Sequence, residues 1–214
     1  MTTEQIEVWT GEFGRAYTNR NRFEDDAAFN AFYIKRYGLT RDAINSDWLG
    51  GLAPDAPILE VGANIGNQLR ALRRAGFQRL FGIEIQRYCV EQSKQLNPEV
   101  DIIEGSAFDI PFKDGFFNLV YTNNVLIHIS PADLPKVMDE MYRVSGRYIW
   151  GFEYFAPEPT EINYRGHKNL LWKADYAALF MARFPDLKLV RQQLFDCLDE
   201  AGTIDKLYLL EKSR

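Results

Sequence analysis

Ile58-Leu59-Glu60-Val61-Gly62-Ala63-Asn64-Ile65-Gly66 decides the fold: a short apolar run, Ile58 to Val61, turns through two glycines and enters a helical pattern from Gln68 to Arg74. Glycine admits positive φ, or lets a ligand approach where a Cβ would stand. A turn of this kind at the carboxyl end of a first parallel strand is where α/β sheets bind nucleotides. The spacing narrows the choice. In the dinucleotide fingerprint Gly-x-Gly-x-x-Gly the middle glycine brings backbone against a pyrophosphate, and Asn64 stands in its place here. No Gly-Lys-Ser/Thr follows the turn either. Glu60, just ahead of it, repels phosphates and suits a ligand carrying positive charge. S-adenosylmethionine, with a sulfonium and an ammonium, meets these conditions.

A second anchor lies further along. Leu80 to Ile85 reads as the next strand and ends in an acid, Glu84, 24 positions after Glu60 (84 − 60). A carboxylate at the tip of a second strand accepts hydrogen bonds from both hydroxyls of a ribose. The competing reading makes Gly62 and Gly66 only a tight βα turn and Glu84 a solvated strand end.

With 214 residues the chain builds one sizeable core, so a single unit is expected, a helical cover over 1–50 and an α/β core over 51–214. A net charge of −5 argues against broad contact with nucleic acid. Cys89 and Cys197 stand far apart with no Cys-x-x-Cys spacing, which points to core thiols and to no metal or disulfide. Met1 to Gln5 lacks a basic region followed by an apolar stretch, and no run approaches the roughly eighteen apolar residues of a membrane span. The expectation is a soluble, cytoplasmic protein without a membrane partner; oligomeric state is not legible.

From Glu4 to about Asn45, Trp9, Phe13, Tyr17, Phe23, Phe29, Phe32, Tyr33 and Tyr37 recur at mostly helical intervals, which reads as packing. From Pro57 onward strands and helices alternate. Ile58–Val61, Leu80–Ile85, Asp101–Glu104, Phe117–Tyr121 and Arg147–Glu153 are strands, with helices over Asn67–Ala75, Tyr88–Leu96 and Ala132–Val144 between them. Ser130-Pro131-Ala132-Asp133 supplies a start signal for the third of these helices. Tyr154 to Trp172, with Pro157, Pro159 and Gly166, reads as a long loop of the functional kind. Lys173–Arg183 resumes helical periodicity. Lys188–Leu194 and Lys206–Glu211 then close the chain as two strands joined through Asp199, Glu200 and Gly202. Periodicity supports a doubly wound α/β fold.

Several blocks together carry a resemblance: Gly11-Glu12-Phe13-Gly14 with Tyr17, Arg20 and Asn21; the turn from Ile58 to Leu72; Pro111 to Asp114 with Val125-Leu126-Ile127-His128-Ile129; and Glu153-Tyr154 with Tyr164-Arg165-Gly166-His167-Lys168. Over nearly its whole length the chain resembles the pseudaminic acid biosynthesis-associated methylases. That resemblance implies a Rossmann-like class I methyltransferase with a seven-stranded, mostly parallel sheet whose last strand is antiparallel. It also implies S-adenosylmethionine as cofactor, S-adenosylhomocysteine as product, and O- or N-methylation of a small acidic sugar, a nonulosonic acid or its precursor. By the same carry-over Glu60, Gly62, Asn64 and Gly66 surround the methionyl portion, and Glu84 and Ile85 meet the ribose and adenine. Ser106 and Ala107 lie at the adenine edge, and Asn123 sits below the sulfonium.

His128, on the segment leaving the fourth strand, suits either a proton acceptor or a loop-fixing imidazole. Glu153 and His167 complete the catalytic candidates. Tyr154, Tyr164 and Arg165 are expected to meet substrate, Arg165 by bidentate contact to a carboxylate, with Tyr17 and Arg20 turning inward as a lid. Rival functions are methylation of an unrelated metabolite or peptide, a non-catalytic S-adenosylmethionine-binding protein and, more distantly, a nicotinamide oxidoreductase.

Overall fold

Four helices precede the first strand in the computed structural model, which describes residues 3–213. They are α1 (Glu4–Thr10), α2 (Glu12–Arg20), α3 (Asp26–Tyr37) and α4 (Arg41–Leu49). Short polar side chains set three of their starts: Thr3, Asp25 and Thr40 accept from the amides of Ile6, Ala28 and Ala43. Gly38, at φ 74°, closes α3 in the left-handed conformation that a Cβ disfavours.

The alternation follows as β1 (Ile58–Val61), α5 (Asn67–Arg74), β2 (Leu80–Glu84), α6 (Arg87–Leu96), β3 (Asp101–Glu104), β4 (Phe117–Asn123), α7 (Leu134–Val144) and β5 (Ser145–Tyr154). A small hairpin of β6 (Thr160–Glu161) and β7 (Trp172–Lys173) comes next, then α8 (Tyr176–Arg183), β8 (Leu187–Asp196) and β9 (Ile204–Lys212). The seven-stranded sheet has the order β3-β2-β1-β4-β5-β9-β8. Strands β1 to β5 pair in parallel, and β9 runs antiparallel between β5 and β8. This is the mostly parallel sheet with an antiparallel last strand that the resemblance implies, and the doubly wound α/β fold that periodicity supports.

Both faces of the sheet are covered, so its strands read as near-continuous apolar runs. In β4, Leu119 and Tyr121 join the core beneath α3 to α6, while Phe117 and Val120 face α7 and α8. In β9, Leu207 and Leu209 take the first side and Tyr208 and Leu210 the second. At the free edge, β8 carries a register shift between Leu189 and Arg191. No helix among the described residues is long and apolar enough to cross a membrane. Cys89 and Cys197 are buried and unpaired.

Three local expectations are corrected. Ser130 caps a turn through its bonds to Asp133, and α7 starts only at Leu134. The helix expected from Lys173 begins at Tyr176, because Trp172 and Lys173 pair with Glu161 and Thr160 and Asp175 caps the helix at the Ala178 amide. Tyr154 to Trp172 is an organised flap. At its tip Arg165 (φ 53°) and Gly166 (φ 86°) make a two-residue turn, with Tyr164 and His167 exchanging both backbone hydrogen bonds at 2.9 and 3.0 Å. Two consecutive positive φ values define a type I′ hairpin turn, and Arg165-Gly166 is one way to fill it.

In the middle of β5, a Cβ added at Gly151 would stand 2.3 Å from the Tyr208 ring and hydroxyl. The tyrosine is fully buried and has no room to withdraw. Gly151→Ala is expected to lower stability by about 1–3 kcal/mol, the usual cost of overpacking, read as a lower urea midpoint at unchanged slope.

Candidate active site

The turn after β1 holds three left-handed residues of different purpose, Gly62, Asn64 and Gly66. Gly62 has φ 75°, and a Cβ there would press within 2.7 Å of Val125, so the glycine lets the turns after β1 and β4 close on each other. Asn64 has φ 48°, a conformation asparagine tolerates; its Oδ1 accepts from the Ile65 amide at 2.8 Å and its Nδ2 donates to Thr18 on α2 at 3.2 Å. Thus the residue that departs from the dinucleotide fingerprint ties the turn to the helical cover. Gly66, expected among the ligand contacts, does not line the cavity. It is the N-cap of α5, and a Cβ there would meet Ile102 at 2.9 Å.

Glu84 is the keystone of this end. Its Oε2 accepts from the Asn64 amide at 2.8 Å and its Oε1 from the Gln86 amide at 2.9 Å. Burial raises its pKa, opposed by those backbone donors. A carboxylate has about four acceptor positions, so two remain for the hydroxyls of a ribose. Ile85, Ser106, Ala107 and Gly105 continue the wall beyond it.

Beneath lies a polar floor. Glu60 is buried, its Oε2 has no partner, and burial pushes its pKa up to about 8. Asn123 accepts from Arg41 Nη1 at 2.8 Å, and the Tyr33 hydroxyl accepts from Gln68 at 2.6 Å. Arg41 is wholly buried with an unpartnered Nη2, and its guanidinium lies 4.9 Å from the Trp150 ring. Glu60, Gln68, Tyr33 and Asn123 line the cavity, while Arg41 holds Asn123 from behind. An orphaned carboxylate oxygen facing a cavity calls for a cationic group, which the ammonium of a methionyl chain supplies. The residues present therefore fit S-adenosylmethionine: Glu84 for the sugar, the glycine turn for close approach, and Glu60 for the positive end.

The cavity, of about 640 Å³, continues from this end towards β5 and the flap. Its roof is made by α1, α2 and the hairpin. Trp9 carries much of it: its carbonyl accepts from Gln86 Nε2 at 2.5 Å, and its ring lies 5.1 Å from Tyr17 and 4.4 Å from His128. Gln5 donates to the Asn169 carbonyl of the flap at 2.8 Å. His128 is buried, and its Nδ1 bonds the Leu170 carbonyl at 2.7 Å, which requires a proton on Nδ1 and leaves Nε2 as an acceptor. Burial lowers its pKa to about 4.

Tyr17, Tyr154, Tyr164 and Arg165 line the cavity with His128. Three candidates do not. Glu153 is 1 % exposed and lies behind the turn after β4, accepting from the amides of Val125 at 3.0 Å and Ile127 at 3.4 Å. It fixes that turn; burial raises its pKa to about 7. His167 is exposed at the hairpin tip, its ring 5.1 Å from that of Phe13, and Arg20 is exposed on α2. Neither reaches the cavity, and the inward positions of α2 are Tyr17 and Thr18. Sequence reading missed Arg36, Arg41, Gln68, Gln86 and Lys173. A lone polar residue inside an amphipathic helix or a two-residue strand leaves no periodic mark, and the Tyr33–Tyr37 stripe masked the polar ends of its own rings.

Two measurements check these assignments. A glutamate whose pKa rises on folding from 4.5 to about 8 stabilises the fold most when protonated, so its contribution is complete below about pH 4.5 and is lost as pH rises through 8. Glu60→Gln is expected to remove that part of the decline, up to about 1.4 kcal/mol per pH unit, in urea titrations across the window without ligand. Glu84→Ala is expected to weaken S-adenosylhomocysteine binding at least about tenfold by calorimetry, since hydrogen bonds to a charged group contribute roughly 1.5–3 kcal/mol.

Parts of the chain are similar to known proteins. Residues 59–147 match the family model described as a methyltransferase domain. The chain is 28% identical over 108 residues to sarcosine/dimethylglycine N-methyltransferase of Halorhodospira halochloris, covering 46% of this chain and 38% of that protein. It is 26% identical over 128 residues to cycloartenol-C-24-methyltransferase 1 of Oryza sativa subsp. japonica, covering 56% and 37%. The chain thus spans well under half the length of these relatives. Among solved structures, magnesium protoporphyrin IX methyltransferase from Synechocystis PCC 6803 with bound S-adenosylmethionine superposes with a TM-score of 0.71 at 12% identity, covering 99% of both chains. Geranyl diphosphate C-methyltransferase from Streptomyces coelicolor A3(2) gives 0.73 at 14% identity, covering 99% and 98%. At such identities the structural likeness speaks for the fold. Sheet order, the glycine turn and the match over residues 59–147 converge on one likeness: this stretch is similar to methyltransferase domains, in the fold and in the turn whose residues fit S-adenosylmethionine.

Proposed function

We propose that the protein methylates a small acidic acceptor, a nonulosonic sugar or a precursor of one. The observation that carries this reading is Lys173. It lines the cavity, half-buried, at the base of the flap, with its Nζ 3.3 Å from the Thr203 hydroxyl and 5.4 Å from the Tyr154 ring centroid. A hydroxyl leaves an ammonium uncompensated, so Lys173 suits a substrate carboxylate. Arg165, exposed at the hairpin tip, lines the same cavity and provides a second contact. Arg36 is already taken up by Asp199, Glu200 and Asp205. The resemblance to the pseudaminic acid-associated methylases supplies the sugar. The named relatives act on acceptors as different as sarcosine and cycloartenol, which leaves acceptor class to this chain's own residues.

The bound cofactor supplies a methyl group activated by its sulfonium for in-line displacement. The protein's part is positional: Glu84 and Glu60 fix donor placement, Lys173 fixes the acceptor's acid, and Asn123 and Val125 keep the turn after β4 against the cavity. Orientation alone is worth roughly 7–11 kcal/mol in well-aligned systems. Trp9, Tyr17 and the flap exclude water. His128, neutral with Nε2 free, accepts a hydrogen bond from the acceptor and orients it.

Incubation with methyl-labelled S-adenosylmethionine and nonulosonate intermediates, followed by mass analysis, tests the reading; transfer confined to non-acidic acceptors would sink it. Lys173→Met is expected to raise KM for an acidic acceptor about tenfold while S-adenosylhomocysteine affinity stays unchanged by calorimetry.

A further inference from the structure

Four rings form one continuous wall of the cavity. Tyr17 meets Trp9 at 5.1 Å between centroids, Trp9 meets His128 at 4.4 Å, and His128 meets Tyr164 at 5.4 Å. All four line the cavity. The rings come from three regions far apart in the chain: the adjoining helices α1 and α2, the turn after β4 and the flap. The wall is thus a run of tilted aromatic rings with a single imidazole in it, and that imidazole is held in one tautomer by the Leu170 carbonyl.

We infer that the acceptor atom is an amine nitrogen, methylated against the cage of Trp9, Tyr17, His128 and Tyr164; this rests on the methyl-transfer reading above. Aromatic faces carry negative charge density and attract weakly hydrated cations, above all alkylated ammonium groups. A hydroxyl gains nothing from such a wall. It also needs a base to take its proton as oxygen attacks, and His128, neutral and burial-weakened, is poorly matched to that work at neutral pH. An unprotonated amine attacks with its own lone pair. The nitrogen–carbon bond forms as the carbon–sulfur bond breaks, the bonding pair stays on sulfur, and the positive charge passes from sulfur to nitrogen. The cage is then occupied by the cation it suits, and any proton on nitrogen leaves afterwards to solvent. An amine beside a carboxylate held at Lys173 satisfies both ends of the cavity.

The test uses the full chain saturated with S-adenosylhomocysteine, so that no sulfonium competes for the rings. Binding of that ligand is established first by calorimetry; its failure would remove the methyl-transfer reading itself. Choline and its uncharged isostere 3,3-dimethylbutan-1-ol are then titrated into the complex. Choline is expected to bind roughly 2- to 30-fold more tightly, the range of one cation–π contact. Tyr164→Leu, on the flap and away from the sheet, is expected to reduce that preference, and Tyr164→Phe to retain it. Equal binding of the two probes, binding of neither, or an undiminished preference in Tyr164→Leu would overturn the inference.

Discussion

One carboxylate holds two loops in register. Glu84 accepts from the Asn64 amide in the turn after β1 and from the Gln86 amide at the start of α6, so the first two βα connections share a single anion. A buried carboxylate is unfavourable unless it is well supplied with donors, and here the backbone supplies them. The arrangement carries outward. Asn64 reaches Thr18 on α2, Gln86 reaches the Trp9 carbonyl on α1, and the helical cover is thereby seated on the sheet through the neighbours of one acid. The roof and the cofactor end of the cavity are one construction.

The sheet was legible in the chain because its physics repeats. β1, β2 and β4 are short apolar runs buried on both faces, separated by helices whose apolar positions recur with helical period, and that pattern admits few topologies. The glycine turn was legible because Gly62 has no substitute where Val125 closes on it. Boundaries shifted wherever a side chain competed with periodicity, as Ser130 does before α7 and Asp175 before α8.

The cavity was only partly legible. Glu60, Glu84 and Asn123 sit at strand ends, where sequence position implies placement, and all three face the cavity. Arg41 and Gln68 gave no sign, since each is a polar residue within a helix and its role depends on what stands opposite in space. Glu153 misled for the opposite reason. It occupies the carboxyl end of β5, a position that suggests chemistry, but its side chain turns back to hold the Val125 and Ile127 amides. Alternation along a strand assigns a face; it does not tell whether a side chain reaches forward or folds under a neighbouring loop.

The irregularity in β8 has a bearing on how copies of this molecule meet. An outermost strand displays a row of unsatisfied amides and carbonyls that other chains are able to extend. The shift between Leu189 and Arg191 breaks the even spacing of that row, and Arg191 is drawn to Asp47 at 2.7 Å and over the Trp48 ring of α4. Leu189, Val190 and Leu194 are exposed along this stretch, and an interrupted margin is a poorer template for fibre-like growth than an even one.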